Sequence, residues 1–182
     1  MDHQNPAIDQ QPEINITVPA SRQLHRRELC KPAQFSFDEL YISPFRQKRQ
    51  YDNEGQWKYV DFPRDLQPTG IHVMDDLLQY LMQGNSSLER FATEQGLTVA
   101  EVSALVFVLT GIRCRRFQQL YQVRLIDDLL RFTDLEYEEV AQRAGIGTRF
   151  NLFRTIQREH QMSASRRRAY LRQNNDEGRF LL

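Results

Sequence analysis

The sequence predicts a mainly α fold: two helix-turn-helix subdomains joined by a long helix, preceded by a flexible arm and a small β-hairpin. Three observations carry that prediction. The second half of the chain repeats itself once, an unbroken helical stretch separates the two copies, and a short aromatic segment with strand-like alternation precedes both.

Taken in order, residues 1–34 are rich in Gln, Asn, Pro and charge and poor in aromatics. Such a composition buries too little surface to offset ordering entropy, so the segment reads as a flexible arm. Residues 35–70 change character: Phe35, Phe37, Tyr41, Phe45, Tyr51, Trp57, Tyr59 and Phe62 appear, Trp57 to Phe62 alternates, and Asp52-Asn53-Glu54-Gly55 supplies a turn. This predicts a hairpin pairing Ile42–Tyr51 with Gln56–Phe62. Two strands alone are marginal in water, so it should lie against a larger body. After Pro63 and Pro68-Thr69-Gly70, the residues Val73, Leu77, Leu78 and Leu81 recur at helical spacing until Gly84-Asn85. Short helices then follow through a domain spanning 71–172. The tail, 173–182, is polar until Phe180-Leu181-Leu182 and is expected to fray.

Composition narrows the function classes. The 182 residues, 40% hydrophobic, suffice for one ordinary core or a smaller core with an appendage. The longest apolar run, Ala104 to Leu109, is far short of the roughly 20 residues a bilayer crossing needs. Met1 to Gln11 lacks a basic start and an apolar stretch, so no secretion signal is expected and a cytoplasmic location follows. Cys30 and Cys114 stand apart, as do His3, His25, His72 and His160, so no metal site, cofactor or catalytic centre is assigned and no enzyme activity is expected.

Net charge is zero, yet unevenly spread. Between Leu125 and Glu139 six acids face Arg131 alone, a net −5; between Val140 and Arg172 eight arginines face Glu159 alone, a net +7. Overall neutrality therefore hides a concentrated cationic segment.

The repeat lies in the same region. Leu88, Phe91, Ala92, Gly96 and Leu97 match Tyr137, Val140, Ala141, Gly145 and Ile146 at an offset of 49. One residue is inserted in the turn, and Val102, Val106 and Phe117 then match Leu152, Ile156 and Arg167 at an offset of 50. Each copy reads as helix, glycine turn, helix. The small Ala92 or Ala141 admits close helix approach, the glycine ends the first helix in the left-handed conformation, and Leu97 or Ile146 fills the wedge.

Two such units joined by a helix over about Arg115 to Phe132 resemble the DNA-binding domain of the AraC/XylS family of bacterial transcription regulators. The resemblance covers about Ile71 to Arg172. It rests on Val140-Ala141, Ala144-Gly145-Ile146, Leu152, Arg154, Ile156, Met162-Ser163 and Arg168 in the second unit. In the first it rests on Leu88, Phe91-Ala92, Gly96-Leu97-Thr98, Val102, Val106, Gly111 and Phe117, with Leu129-Leu130 closing the linking helix. Departures are Gln161 where the family usually has glycine, Ala164 where it has proline, Arg167 where it has an aromatic and Gln122 where it has arginine. Gln161 must then tolerate a positive φ or alter the turn.

The resemblance implies double-stranded DNA as partner, with RNA polymerase or another regulatory protein as further candidates; the short apolar runs argue for no membrane, and the lack of a heptad zipper for a monomer or a weak dimer through the N-terminal region. On the helix from about Thr148 to Glu159 it marks Arg149, Asn151 and Arg154 as groove-facing: arginine can bond guanine bidentately and asparagine adenine. Thr148 is an N-cap first and a phosphate contact second. Phe150 and Phe153 either pack inward or touch a thymine methyl. Arg158, Arg166, Arg167 and Arg168 read as phosphate contacts. In the first unit the corresponding positions carry Ala100, Ser103 and Ala104, too short to reach a base, then Phe107 and Val108, which gain nothing from phosphate and are expected to be covered by protein, the aromatic hairpin being the candidate.

The expected function is thus a sequence-specific regulator reading DNA mainly through its second unit, with a degenerate first unit and no ligand-sensing barrel among the 70 residues ahead of the domain. The alternative is an adaptor or anti-activator that keeps the fold and has given up specific DNA binding.

Overall fold

The computed structural model describes residues 32–173 and 179–182. The proposed arm falls almost wholly outside the described residues. The elements, in order, are α1 (Phe37–Leu40), β1 (Gln47–Tyr51), β2 (Trp57–Asp61), α2 (His72–Met82), α3 (Leu88–Glu94), α4 (Val99–Thr110), α5 (Cys114–Phe132), α6 (Tyr137–Arg143), α7 (Arg149–His160), α8 (Ala164–Gln173) and β3 (Phe180–Leu181). Each repeat is a helix-turn-helix, α3–α4 and α6–α7. The first pair bends by 99° at its turn, within the range usual for such a motif. No single helix among the described residues is long and apolar enough to cross a membrane.

Apolar spacing in the sequence becomes two separate cores. The first gathers Met74, Leu77, Leu78 and Leu81 of α2 with Phe91, Ala92, Val102 and Val106. The second gathers Val140, Ala141, Leu152, Ile156 and Ala164. Helix α5 belongs to both, giving Cys114, Phe117 and Tyr121 to the first core and Leu125, Ile126, Leu129, Leu130 and Phe132 to the second. The strap ahead of the sheet is divided in the same way, with Leu40 and Ile42 in the first core and Phe45 in the second. The Tyr121 hydroxyl holds it down, donating to the Ile42 carbonyl at 3.1 Å and accepting from its amide at 3.2 Å. Beside it, the Tyr41 hydroxyl donates to Asp128 at 2.8 Å. Burial pushes the Tyr41 and Tyr121 hydroxyls above the ordinary phenol range, so both stay protonated donors.

The hairpin is shorter than its sequence pattern suggested, pairing Gln47–Tyr51 with Trp57–Asp61. It also gains a third strand. Phe180–Leu181 pairs antiparallel with β1, giving the order β2-β1-β3. The expectation of a frayed tail is corrected at these residues: Phe180 is buried, stacked on Phe132 at 4.3 Å and edge-on to Phe45 at 5.2 Å. The physical reason is a slot of aromatic side chains from three distant stretches that only this ring closes. The sheet thus packs on the second core, and Val108 of the first unit is 58% exposed, which corrects the idea that the hairpin covers it.

Two backbone details position the units. Glycines 84 and 145, both at positive φ, meet back to back: a Cβ at either would lie 2.3–2.4 Å from a carbonyl oxygen, Arg143 O or Gly84 O. Helix α7 ends at Gln161 in the left-handed region, φ 55°, where α4 ends at Gly111, φ 69°. Gln161 is the only non-glycine at positive φ among the described residues. The turn is kept and a side chain carries its strain.

Two substitutions test these details by thermal unfolding. Gln161→Gly should stabilise by about 1 kcal/mol, raising Tm by about 2–4 °C. Gly84→Ala should destabilise by about 2–4 kcal/mol, because the methyl group meets backbone and the φ is unfavourable. A neutral Gly84→Ala would mean that α2 and the α6–α7 turn do not touch.

Candidate nucleic-acid interface

The second unit presents its outer helix through a turn built from small residues. Helix α6 closes with the Ile146 amide donating to the Ala141 carbonyl at 3.0 Å, as the Leu97 amide donates to Ala92 at 2.8 Å in the first unit. The extra residue of the second turn is taken up at Gly147, φ 83°. Thr148 then caps α7, its hydroxyl accepting from the Asn151 amide at 3.3 Å. Glu138 accepts from the Arg149 amide at 3.0 Å, satisfying a second free donor of the first turn.

With Leu152 and Ile156 buried, the outward face of α7 carries Arg149, Phe150, Asn151, Phe153, Arg154, Gln157 and Arg158. The arginines lie against aromatic rings. The Arg149 guanidinium carbon is 5.1 Å from the Phe153 ring and 5.7 Å from that of Tyr137. Arg154 lies 5.8 Å from Phe150. Such contacts restrict a long side chain without using its hydrogen-bond donors. Asn151 donates from its side-chain amide to the Ile146 carbonyl at 3.0 Å, which orients the group at the mouth of the turn. Arg158 pairs with Glu159 at 2.8 Å, and Glu159 also meets Arg116 of α5 at 3.2 Å. Hydrogen bonding from Arg158 and Arg116 outweighs burial and holds the Glu159 carboxyl below its usual range, so it stays ionised.

The run Arg166-Arg167-Arg168 on α8 is divided by the fold. Arg166 is exposed, beside the start of the helix, where its amide donates to the Ser163 hydroxyl at 3.3 Å. The Arg167 side chain is only 14% exposed and makes a two-pronged pair with Asp127 of α5, at 2.9 and 2.5 Å. Arg168 donates to the Leu135 carbonyl at 2.6 Å and lies over Tyr137 at 4.2 Å. Arg172, further on, donates to the carbonyls of Leu130 and Thr133. Cations from α8 thus bind the C-terminal end of α5, where unpaired carbonyls and the helix dipole favour positive charge.

Sequence reasoning missed that division because Asp127 lies forty positions from Arg167. The substitution of arginine for an aromatic at 167 was the available signal: a charge at a core-facing position needs a partner. Between α7 and the start of α8 lies a groove of about 480 Å³, lined by Tyr137, Arg149, Phe153, Arg154, Gln157 and Ser163 to Ser165. It joins the face of α7 to the start of α8. Helix α4 presents instead Ala100, Glu101, Ala104 and Val108, and Glu101 is committed to a capping box with Thr98.

No protein-family model matches the sequence, and no curated protein matches it. Among solved structures, the DNA-binding domain of AdpA, the global transcriptional factor, in complex with a target DNA, aligns at 22% identity and TM-score 0.50, over 59% of this chain and 96% of that one. The C-terminal domain of AraT, a response regulator from Geobacillus stearothermophilus, aligns at 18% identity and TM-score 0.48, over 54% of this chain and 82% of that one. The C-terminal domain of the response regulator yesN from Fusobacterium nucleatum aligns at 14% identity and TM-score 0.47, over 53% and 94%. The AdpA likeness shows that the two domains share a fold.

The divided arginine run gives a direct test. Arg167→Ala should destabilise by about 2 kcal/mol, since it strands a largely buried carboxylate. Arg166→Ala should change stability by no more than about 0.5 kcal/mol. Thermal melts of the two variants check this, and equal Tm values would show that the Asp127 pair contributes nothing.

Proposed function

We propose that the chain uses this fold as a sequence-specific, DNA-binding transcriptional regulator of AraC type, reading duplex DNA through α7, with α4 as a degenerate second reader. The observation that carries the proposal is the contrast between the two outer helices. Both are twelve residues long, capped by threonine and seated on equivalent core positions. Only α7 has side chains that can reach and bond base edges.

In this reading Arg149 and Arg154 contact bases, Asn151 contacts an adenine or holds the turn, and Thr148, Arg158 and Arg166 face phosphates. Arg167 and Arg168 serve the same surface indirectly by holding α8 against α5. The likeness to a domain solved with its target DNA supports the reading. RNA polymerase or another regulatory protein is the natural second partner of such a regulator.

One observation favours the alternative of an adaptor that has given up DNA. Val108 on α4 and Tyr51 and Trp57 on the sheet are each at least half exposed, and apolar surface of that kind suits a protein partner. The cationic, hydrogen-bonding face of α7 weighs against it.

Mobility shifts over a salt series separate the two. Binding to duplex DNA should weaken with a log-log slope of about −0.9 for each phosphate neutralised, and Arg166→Ala should flatten it by about that amount on every sequence alike. Selection from random duplexes should return one well-specified block, with the other half loose. Alanine at Arg149 or Arg154 should cost about 1–3 kcal/mol on the selected site and relax preference at one base pair. No enrichment of any sequence would refute specific DNA binding.

A further inference from the structure

Phe150 is 67% exposed, more than any other large apolar side chain among the described residues. Nothing in the second core calls for it. Leu152 and Ile156 fill the interior beneath α7, and Phe153 is held by its edge-to-face contact with Tyr137 at 5.5 Å. Phe150 is the second residue of α7, and its ring lies 5.8 Å from the guanidinium carbon of Arg154 one turn on. Arg149 and Asn151 flank it in the chain. Its setting is therefore a bare phenyl ring at the tip of a helix, surrounded by groups that bond anions and base edges.

A surface of that kind suits a partner that is anionic overall yet offers a small apolar knob at the depth the helix tip reaches. In the major groove of duplex DNA one group meets that description, the 5-methyl of thymine. An acidic protein with an apolar pocket would match the charge, but Arg149, Asn151 and Arg154 are the residue types that bond guanine and adenine edges, and an asparagine adds nothing to carboxylate pairing.

We propose that Phe150 is a specificity-determining residue that packs on the 5-methyl group of a thymine, beside the base pair that Arg154 reads. The inference rests on the DNA-binding reading above. The ring then acts twice: it shelters a methyl group from water, and it shelves the Arg154 side chain at the angle needed for the neighbouring base. Burial of one methyl-sized group corresponds to about a fourfold change in affinity.

The test uses the full chain and a duplex selected from a random pool, remade with deoxyuridine at one thymine at a time. That exchange removes a methyl group and leaves every hydrogen bond of the base pair. At one position the wild type should lose about fourfold in Kd, while Phe150→Ala binds the thymine and deoxyuridine duplexes alike. Phe150→Leu, which keeps an apolar group without the ring, should retain part of the discrimination. Because the ring is exposed, these variants should melt with the wild type, and a melt confirms that they fold. A wild type indifferent to deoxyuridine at every thymine would overturn the proposal while leaving specific DNA binding intact. So would a Phe150→Ala variant that discriminates as well as the wild type. Failure to select any site would instead remove the DNA-binding reading, and this inference with it.

Discussion

One helix serves two cores, and the rest of the structure follows from that. Nineteen residues of α5 span about 28 Å, with Phe117 and Tyr121 sealing one hydrophobic cluster and Leu125, Ile126 and Leu129 sealing the other. Each helix-turn-helix packs its apolar face on α5. Because a helix resists bending, the two outer helices are held at a fixed setting. The glycine contact between residues 84 and 145 and the Tyr121 clasp on Ile42 reinforce that setting from either side.

The charge asymmetry takes on a different meaning once folded. The acidic stretch before α6 and the basic stretch after it are neighbours in space as well as in sequence. Asp127 takes Arg167, Asp134 takes Arg172 and Arg179, and Glu138 and Glu139 cap the starts of α7 and α6. Much of the apparent excess of arginine is thereby spent inside the protein. What faces outward is a smaller set: Arg143 at the end of α6, and a strip of Arg149, Arg154, Arg158 and Arg166 along α7 and the start of α8. A narrow strip suits placing one helix in one groove better than wrapping a long stretch of backbone.

How much of this was legible in the sequence depended on range. Local signals were accurate: Thr148 caps the helix that follows it, the glycine turns fall where the repeat places them, and Val102, Val106, Leu152 and Ile156 are buried. The reading of α7's outward face came from the family resemblance. Long-range pairings were not legible. No local pattern says that Phe180 will fill a slot between Phe45 and Phe132, that Asp127 will neutralise Arg167, or that the sheet will pack on the second core and leave Val108 exposed. Each joins residues whose separation in the chain exceeds any helical or strand period. The hairpin was overextended at its first strand, where Ile42 and Phe45 are committed to the two cores rather than to the sheet.

The strand formed by Phe180 and Leu181 has a consequence for how the molecule is made. Its partner strand, and the ring of Phe45 it touches, are translated some 130 residues earlier. The first core draws on nothing beyond Tyr121 and can close while the remainder is still being synthesised. The second cannot close over Phe45, Phe62 and Phe132 before Phe180 has been made. Closure of the two cores is therefore sequential, and the one beneath α7 follows the other.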